Sequence, residues 1–235
     1  MKPYQALLFD LDNTLLDFTA SETVSLERLY INFFKAHMQE KAFYEHYHEV
    51  NDKLWGQVEQ GLLTPADVRQ RRFLSLAETA HDLCPDELGE FYEHHLGHSA
   101  PWFDGVEAVV HELREHYQVG IITNGFSAVQ AVKYELSGLK DWCDCFVVSE
   151  SVGLAKPDPR IFDLALLQLG AMAADTLMVG DSLQSDYRGA MNASMDFCWV
   201  NSAGKGLPAE FETPQFTVQS VTELRELLAK PLTTA

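Results

Sequence analysis

The sequence feature that most constrains the fold is a short apolar run that ends in two aspartates near the start of the chain. Residues Ala6 to Phe9 have the composition of a buried strand, and Asp10 and Asp12 follow it directly. Ligands of open α/β sheets bind beyond the carboxyl ends of the strands. Neighbouring carboxylates at such an edge repel each other, and a shared divalent cation relieves the repulsion. The stretch therefore predicts a sheet edge that carries a cation site.

Two simpler interpretations of the same stretch are a calcium-binding EF-hand loop and a plain turn. An EF-hand loop needs Gly at its sixth position and Glu at its twelfth. Counted from Asp10, those positions hold Leu15 and Ser21, so the EF-hand is rejected. These residues alone do not exclude a plain turn. The rest of the chain decides between a turn and a cation site.

After Leu15 the pattern becomes helical, and residues 17–99 predict four helices and no strand. Thr19 and Glu22 have the spacing of a capping box. From Pro101 onwards apolar runs of strand length alternate with amphipathic helices, which predicts a doubly wound parallel sheet. We expect an α/β core at residues 1–16 and 100–235, an inserted all-helical cap at 17–99, and a frayed tail after Pro231.

The amino-acid composition argues against two classes of binding partner. The net charge of −18 opposes binding to nucleic-acid polymers or anionic membranes, which require basic patches. No apolar stretch approaches the roughly 18 residues of a membrane span, and no signal peptide is recognisable, so we expect a cytoplasmic protein. The four cysteines form no paired C-x-x-C framework, and we interpret Cys143 and Cys145 as buried or half-buried thiols rather than as a metal or redox site.

Polar residues also follow two later apolar runs, lie between them or lie just beyond them. Thr123, Asn124 and Gly125 end one predicted strand, and Asp181 ends another. Lys156, which Pro157 follows, lies between these strands in the chain, and Asp186 lies just beyond the second. Parallel strands bring such groups to one edge. Carboxylates, a lysine and small hydroxyl and amide groups suit phosphoryl transfer, because cations offset the charge of phosphate oxygens while N–H and O–H groups hold them.

These motifs resemble those of the haloacid dehalogenase-like superfamily in order and spacing, over nearly the whole chain. The resemblance rests on four motifs, which are Asp10-x-Asp12-x-Thr14, Thr123-Asn124, Lys156-Pro157 and Gly180-Asp181-x-x-x-x-Asp186. A helical insertion after the first motif resembles the subfamily with a C1-type cap. The superfamily's dehalogenases lack the second aspartate of the first motif, so Asp12 favours a phosphate leaving group.

The resemblance implies a role for each acidic residue. Asp10 would be the nucleophile that forms an aspartyl-phosphate. Asp12 would give a proton to the leaving oxygen and later take one from the attacking water. Asp10, Asp181 and the main-chain carbonyl of Asp12 would bind Mg²⁺, with Mn²⁺ as a substitute ion. Asp186 would orient Lys156 or a water on the metal, although it also has the position of a helix N-cap.

The resemblance also implies which residues bind the substrate phosphate. Thr123 and the main chain of Asn124 and Gly125 would hold the phosphoryl oxygens, and Lys156 would neutralise their charge. Thr123 and Lys156 would thereby also take part in catalysis.

The cap resembles that of bacterial pyrimidine 5′-nucleotidases, which act on UMP, dUMP and dTMP. The resemblance covers Leu54-Trp55, Glu59-Gln60-Gly61, Arg69 and Arg72-Phe73 in the cap, and Trp199-Val200-Asn201 in the core. Trp55, Phe18 or Phe103 would stack on a base and Arg72 would meet a carbonyl, although each aromatic residue also suits the cap's own core.

We therefore predict a Mg²⁺-dependent phosphomonoester hydrolase whose substrate is a small molecule, a pyrimidine nucleoside monophosphate. The alternatives are a phosphatase for small sugar phosphates or phosphoglycolate, a phospho-accepting signalling domain, and a non-catalytic binding module. In receiver domains the acidic pair precedes the phospho-accepting aspartate, whereas here the candidate nucleophile, Asp10, opens the chain.

Overall fold

A computed structural model describes residues 4–79 and 83–229, so the predicted fraying after Pro231 lies outside the described residues. Its six strands form one parallel sheet in the order β3-β2-β1-β4-β5-β6. The strands are β1 Ala6–Phe9, β2 Gln118–Thr123, β3 Cys145–Val148, β4 Thr176–Gly180, β5 Asp196–Val200 and β6 Phe216–Val218. The predicted doubly wound α/β fold is therefore confirmed.

The end of β1 lies at the reversal point of the sheet, by which we mean the place where the order in which the chain adds parallel strands changes direction. From β1 the chain builds β2 and β3 on one side, then crosses back to build β4, β5 and β6 on the other. Phe9 lies opposite Ile121 of β2 and Val179 of β4. A crevice forms where connections leave a sheet in opposite directions, and ligands of such folds bind there.

Helices surround the sheet and fill the segment between β1 and β2. They are α1 Phe18–Leu29, α2 Glu40–Glu59, α3 Pro65–Arg71, α4 Leu74–Ala77, α5 Pro85–Gly97, α6 Val106–Leu113, α7 Ser127–Leu136, α8 Ser149–Val152, α9 Pro159–Leu169, α10 Arg188–Asn192 and α11 Leu224–Leu227. Short 3-10 or π-type turns occupy Tyr30–Phe34, Leu139–Asp141, Ala173–Asp175, Leu183–Tyr187 and Val221–Glu223.

The alternation of side chains along the strands divides the core between the two faces of the sheet. Leu7 and Phe9 of β1 pack on the face covered by α6 and α11, while Ala6 and Leu8 pack on the face covered by α9 and α10. Both sets are fully buried, as expected for a central parallel strand. This double burial fixes the position of the residues that follow β1.

A third apolar cluster lies among helices α1 to α5, and it includes Tyr47 of α2 and Tyr92 of α5. Phe126 and Val129, at the start of α7, belong to the same cluster. The helical segment is thus packed against the part of the chain that follows β2. The division into a core and a cap at the predicted boundaries stays a prediction.

Several predicted helix ends are wrong, and a local hydrogen bond explains one of them. Asp17, not Thr19, caps α1, because the helix begins at Phe18 and the Asp17 carboxylate accepts from the Ala20 amide at 2.9 Å. The apolar positions Val68, Phe73, Leu76 and Ala77 predict one helix after Pro65, but the segment forms two helices, since the chain leaves helical geometry at Phe73. The sequence also predicts a helix from Asp104 to Tyr117, whereas α6 covers Val106–Leu113.

None of the helices in residues 4–79 and 83–229 combines the length and apolar composition that a membrane crossing requires. Cys145 and Cys198 are buried free thiols, Cys143 is half-buried and Cys84 is exposed, so the interpretation of Cys143 and Cys145 as buried or half-buried thiols is confirmed.

Candidate active site

Asp10 is the first residue beyond β1, and it lies at the reversal point of the sheet. The residue is only 7% exposed, and its backbone amide donates to the Val179 carbonyl of β4 at 2.9 Å. Lys156 Nζ donates to its Oδ1 at 2.5 Å. Burial raises the pKa of Asp10 well above its ordinary value, although the charge of Lys156 opposes this.

Lys156 is fully buried and has three oxygen partners. Besides Asp10, its ammonium group donates to Asp186 Oδ1 at 2.7 Å and to the Ile122 carbonyl at 3.0 Å. Burial would lower the pKa of Lys156, but the charges of Asp10 and Asp186 outweigh it and raise the pKa. The lysine is therefore a fixed cation with a defined direction, not a solvated surface residue.

Asp186 does not cap a helix, so that alternative interpretation is wrong. Ser182 provides the cap, because its hydroxyl accepts from the Ser185 amide at 3.2 Å. Asp186 is fully buried; its Oδ2 accepts from the Ser182 amide at 3.0 Å while its Oδ1 binds Lys156. Both carboxylate oxygens thus face inward and hold Lys156 and the loop after β4.

Asp181 follows β4 as Asp10 follows β1. Thr14 Oγ1 donates to its Oδ1 at 3.3 Å, and the buried Trp199 indole donates to its main-chain carbonyl at 3.0 Å. Burial, and then the charge of Asp186, raise the pKa of Asp181 to about 7. These contacts hold the Asp181 carboxylate close to that of Asp10.

The site can hold a hard cation. Carboxylate oxygens of Asp10, Asp181 and Asp186 all lie within 4.8 Å of one another. Burial raises the pKa of Asp10 and Asp181, and repulsion among the three carboxylates adds to the effect, so a bound cation would relieve an existing cost. Oxygen donors of this kind suit Mg²⁺.

The end of β2 brings small polar groups to the same place. Thr123 is 2% exposed, and its hydroxyl accepts from the Gly125 amide at 3.3 Å. The Asn124 amide pairs with the main chain of Lys156, donating to its carbonyl at 2.9 Å and accepting from its amide at 2.8 Å. This pairing fixes the lysine loop against the β2 loop.

Gly125 is required by close packing. A Cβ atom built on it would lie 2.1 Å from the Gln130 side-chain nitrogen. A larger residue would therefore displace Gln130, which contacts two other groups of the site.

Asp12 has two partners that sequence reasoning missed. Lys133 Nζ donates to Asp12 Oδ1 at 2.6 Å, and Gln130 Nε2 donates to Asp12 Oδ2 at 2.6 Å and to Thr123 Oγ1 at 2.9 Å. Both partners lie on α7 and are buried. A usable signal was present, because Gln130 and Lys133 are three residues apart and share a face of the helix that directly follows the Thr123 motif.

All the predicted catalytic, phosphate-binding and metal-binding residues line one cavity of about 250 Å³, whose opposite wall comes from the helical segment. Of the predicted base-stacking residues, Trp55 and Phe18 line this cavity. Phe103 lines a different cavity beside Trp102, so its predicted contact with a base is not supported. Arg72 also lines the cavity, but it is 2% exposed and pairs with Glu93.

The arrangement combines a buried carboxylate, a fixed lysine, a possible cation site and hydroxyl and amide groups around one cavity. These are the groups that a phosphoryl-transfer site requires. Comparison with known proteins agrees, because the model of the haloacid dehalogenase-like hydrolase family matches residues 7–200. The chain belongs to this family, and it is a phosphatase.

Three relatives show where in the family the chain stands. It is 36% identical to the pyrimidine 5′-nucleotidase YjjG of Escherichia coli, with 95% of this chain and 97% of the relative covered. It is 30% identical to the pyrimidine 5′-nucleotidase PynA of Streptococcus pneumoniae, with 97% and 96% covered. The crystal structure of the HAD-hydrolase YfnB of Bacillus subtilis, bound to magnesium, matches with a TM-score of 0.87 at 30% identity, with 97% and 100% covered.

Proposed function

We propose that this phosphatase hydrolyses pyrimidine nucleoside monophosphates such as UMP, dUMP and dTMP. The observation that carries the proposal is the single cavity that joins the Asp10 and Lys156 cluster to a wall containing Trp55. A phosphate group fits the first end, and an aromatic side chain suits a flat base at the other. The similarity to two pyrimidine 5′-nucleotidases supports the same substrate class.

Asp10 acts as the nucleophile in this proposal. Its carboxylate attacks phosphorus, the bond from phosphorus to the nucleoside oxygen breaks, and an aspartyl-phosphate remains. Water then attacks that phosphorus and releases inorganic phosphate with regeneration of the carboxylate. The support for this role is the position of Asp10 at the reversal point of the sheet, where its Oδ1 is held by Lys156 at 2.5 Å.

Asp12 transfers the protons. Its carboxyl group gives a proton to the leaving nucleoside oxygen, and its carboxylate takes one from the attacking water. Lys133 and Gln130 bind its two oxygens and so hold the side chain at one edge of the cavity. They act as positioning residues, since they contact Asp12 rather than the reacting atoms.

Four groups bind the phosphoryl oxygens in the proposal. They are the Thr123 hydroxyl, the Asn124 and Gly125 main-chain amides and the Lys156 ammonium group. Lys156 has the additional task of offsetting negative charge in the transition state. Its three hydrogen bonds fix it for this purpose before the substrate arrives.

Asp10, Asp181 and the main-chain carbonyl of Asp12 would hold Mg²⁺, and Mn²⁺ would substitute for it. When bound, the ion supplies positive charge against the phosphoryl oxygens. Asp186 stays committed to Lys156 and to the Ser182 amide. We propose a cytoplasmic enzyme without nucleic-acid or membrane partners, which the net charge of −18 supports.

The test is phosphate release from UMP, dUMP, dTMP, AMP, GMP, phosphoglycolate and several sugar phosphates. We expect pyrimidine monophosphates to give the highest kcat/KM. A preference for phosphoglycolate or sugar phosphates would contradict the nucleotide assignment and leave the phosphatase assignment intact.

Metal dependence is tested in the same assay. Exhaustive chelation should abolish turnover, and added Mg²⁺ or Mn²⁺ should restore it, because the clustered carboxylates need a cation to bind a phosphate dianion. Full activity in a chelated, metal-free preparation would contradict the metal assignment.

A further inference from the structure

Buried polar atoms without partners are concentrated around the cavity. In the described part of the chain, five buried side-chain atoms have no hydrogen-bond partner, and three of them belong to residues that line this cavity. These three are Asn51 Oδ1, Arg72 Nε and Gln130 Oε1. Buried polar atoms in native proteins are nearly always paired, because an unpaired one loses its hydration without replacement. The concentration therefore points to a ligand that supplies the missing partners.

Asn51 and Arg72 belong to the helical wall, whereas Gln130 belongs to the catalytic edge through its bond to Asp12. The side chains of Asn51 and Arg72 are 7% and 2% exposed, so bulk water does not satisfy them. Asn51 Oδ1 is an acceptor without a donor, and the Arg72 Nε–H is a donor without an acceptor. A ligand that fits both atoms must offer one donor and one acceptor.

Helix α2 places Asn51 away from the phosphate end of the cavity. Asn51, Trp55 and Glu59 are four residues apart in turn, so they share one face of the helix, and all three line the cavity. Glu59 marks the phosphate end, because its Oε1 accepts from the Ser182 hydroxyl at 3.3 Å, next to Asp181. Asn51 lies two turns before it, about 12 Å along the helix axis, which leaves room for a sugar and one base.

The surroundings of Arg72 suit a neutral group rather than a second phosphate. Its Nη2 lies 3.5 Å from Glu93 Oε1, and this carboxylate also pairs with Arg69, whose second partner is Glu150, so two carboxylates already balance the two arginines. Its guanidinium carbon lies 4.5 Å from the centre of the Tyr92 ring, and that of the Phe126 ring is 5.2 Å away. These contacts fix the plane of the guanidinium group and leave Nε–H free for one carbonyl oxygen.

An aromatic pair lies beside these two residues. Trp55 and Phe126 both line the cavity, with their ring centres 5.7 Å apart. A planar ring bound in this part of the cavity would contact aromatic faces while its edge meets polar atoms.

We infer that Asn51 and Arg72 are the residues that select the base, and this rests on the proposed function. The Arg72 Nε–H donates to a ring carbonyl, and Asn51 Oδ1 accepts from the ring N–H beside it. Uracil and thymine carry this pair of groups. Cytosine presents an unprotonated ring nitrogen instead, so it leaves Asn51 Oδ1 without a donor unless the amide turns over.

The test compares kcat/KM for UMP, CMP and ribose 5-phosphate, which lacks a base, in the full-length enzyme. We expect UMP to exceed CMP by at least about tenfold, because a site built around hydrogen bonds discriminates against a ligand that cannot complete them. The variants Asn51→Leu and Arg72→Lys should each lower the ratio of UMP to ribose 5-phosphate by about tenfold or more. Arg72→Lys keeps the charge beside Glu93, and Asn51→Leu serves as an independent second variant should the first fail to fold.

Matched controls use the same substitutions outside the cavity. Asn32→Leu and Arg71→Lys change exposed side chains and should leave the substrate ratio as it is in the unaltered enzyme. A wild-type preference for UMP together with unchanged ratios in both cavity variants would overturn the inference and leave the proposed function standing. Equal kcat/KM for UMP and ribose 5-phosphate in the wild type would overturn both.

Discussion

The two walls of the cavity differ in how their polar groups are satisfied. At the catalytic edge, Lys156 alone binds two carboxylates and a carbonyl and both oxygens of Asp12 are paired, although Gln130 Oε1 has no partner. On the helical wall, Asn51 Oδ1 and Arg72 Nε have no partner. The catalytic edge is thus organised before substrate arrives, whereas the helical wall depends on the substrate to complete its hydrogen bonds.

The difference has a physical consequence for mutations. Removing a member of a paired buried cluster leaves the other members uncompensated, so it affects both stability and chemistry. Removing a buried atom that has no partner in the free protein weakens ligand binding and also relieves a desolvation cost, so it does not leave other groups uncompensated. Variants at the two walls should therefore give different combinations of stability and activity.

The largest expected effect comes from Asp10→Asn. Loss of the attacking carboxylate should lower turnover by at least about 10⁴-fold, while the neutral amide keeps nearly the same volume beside Lys156. Phosphate release measures the loss of turnover, and thermal unfolding measures whether the fold keeps its stability. Asp163→Asn, an exposed position on α9, is the matched control, and activity within about tenfold of wild type in Asp10→Asn would contradict the nucleophile role.

Lys156→Met tests whether the catalytic edge is held together by its own charges. The substitution leaves Asp10 and Asp186 buried without their cation, so it should destabilise the protein by about 3–5 kcal/mol. It should also lower turnover by about 10³-fold, because the phosphoryl oxygens lose a fixed cation. Denaturant unfolding measures the loss of stability, and kcat measures the loss of turnover. Lys205→Met, at an exposed position, is the control. Unchanged stability would show that the pairing is dispensable.

Lys133→Met tests the pair that holds Asp12. We expect turnover to fall by about 10- to 100-fold, less than complete loss of acid–base catalysis would cost, because Gln130 still binds the other oxygen. The measurement is kcat with a nucleotide substrate. Lys53→Met changes an exposed lysine and should have no effect. A rise in kcat would instead mean that Lys133 restrains Asp12 from its working position.

The smallest effect is expected at Arg69, which links the helical segment to the sheet side. Its side chain is 36% exposed and pairs with Glu150 at 2.7 Å and Glu93 at 3.0 Å. Solvent weakens such pairs, so Arg69→Gln should cost no more than about 1 kcal/mol. Thermal unfolding of Arg69→Gln and of the Arg71→Gln control measures this cost. A loss comparable to that of Lys156→Met would erase the contrast between the fully buried Lys156 pairs and the partly exposed Arg69 pairs.

Regular elements with clear signals could be predicted closely from the sequence. The sequence predicts a helix from Pro159 to Leu169, and α9 has these ends because Asp158 caps its start and Gly170, in a left-handed conformation, ends it. The apolar runs Cys145–Val148 and Phe216–Val218 likewise predict the bounds of β3 and β6. The start of α1 was wrong because Asp17 and Thr19 are both good caps, and the contact of the Asp17 amide with the Pro101 carbonyl is not visible in the sequence.

The sequence predicts which residues make up most of the candidate site, but not the hydrogen bonds and ion pairs that connect them. The motifs gave Asp10, Lys156 and Asp181 because each follows or lies between apolar strands. Gln130 and Lys133 were missed, since a polar residue on a helix is usually exposed and only the packing of α7 buries these two. Their partner, Asp12, is more than 100 residues away in the chain.

The sequence by itself determined the sheet and the chemistry at its edge, because apolar runs of strand length end directly in carboxylates and hydroxyls, and both signals are local. Only the tertiary structure decided which polar groups pair with one another and which stay unpaired. Those outcomes depend on contacts between α2, α3 and α7 and the strand ends, which are distant in sequence. The unpaired atoms of Asn51 and Arg72 are visible only once burial has removed water from around them.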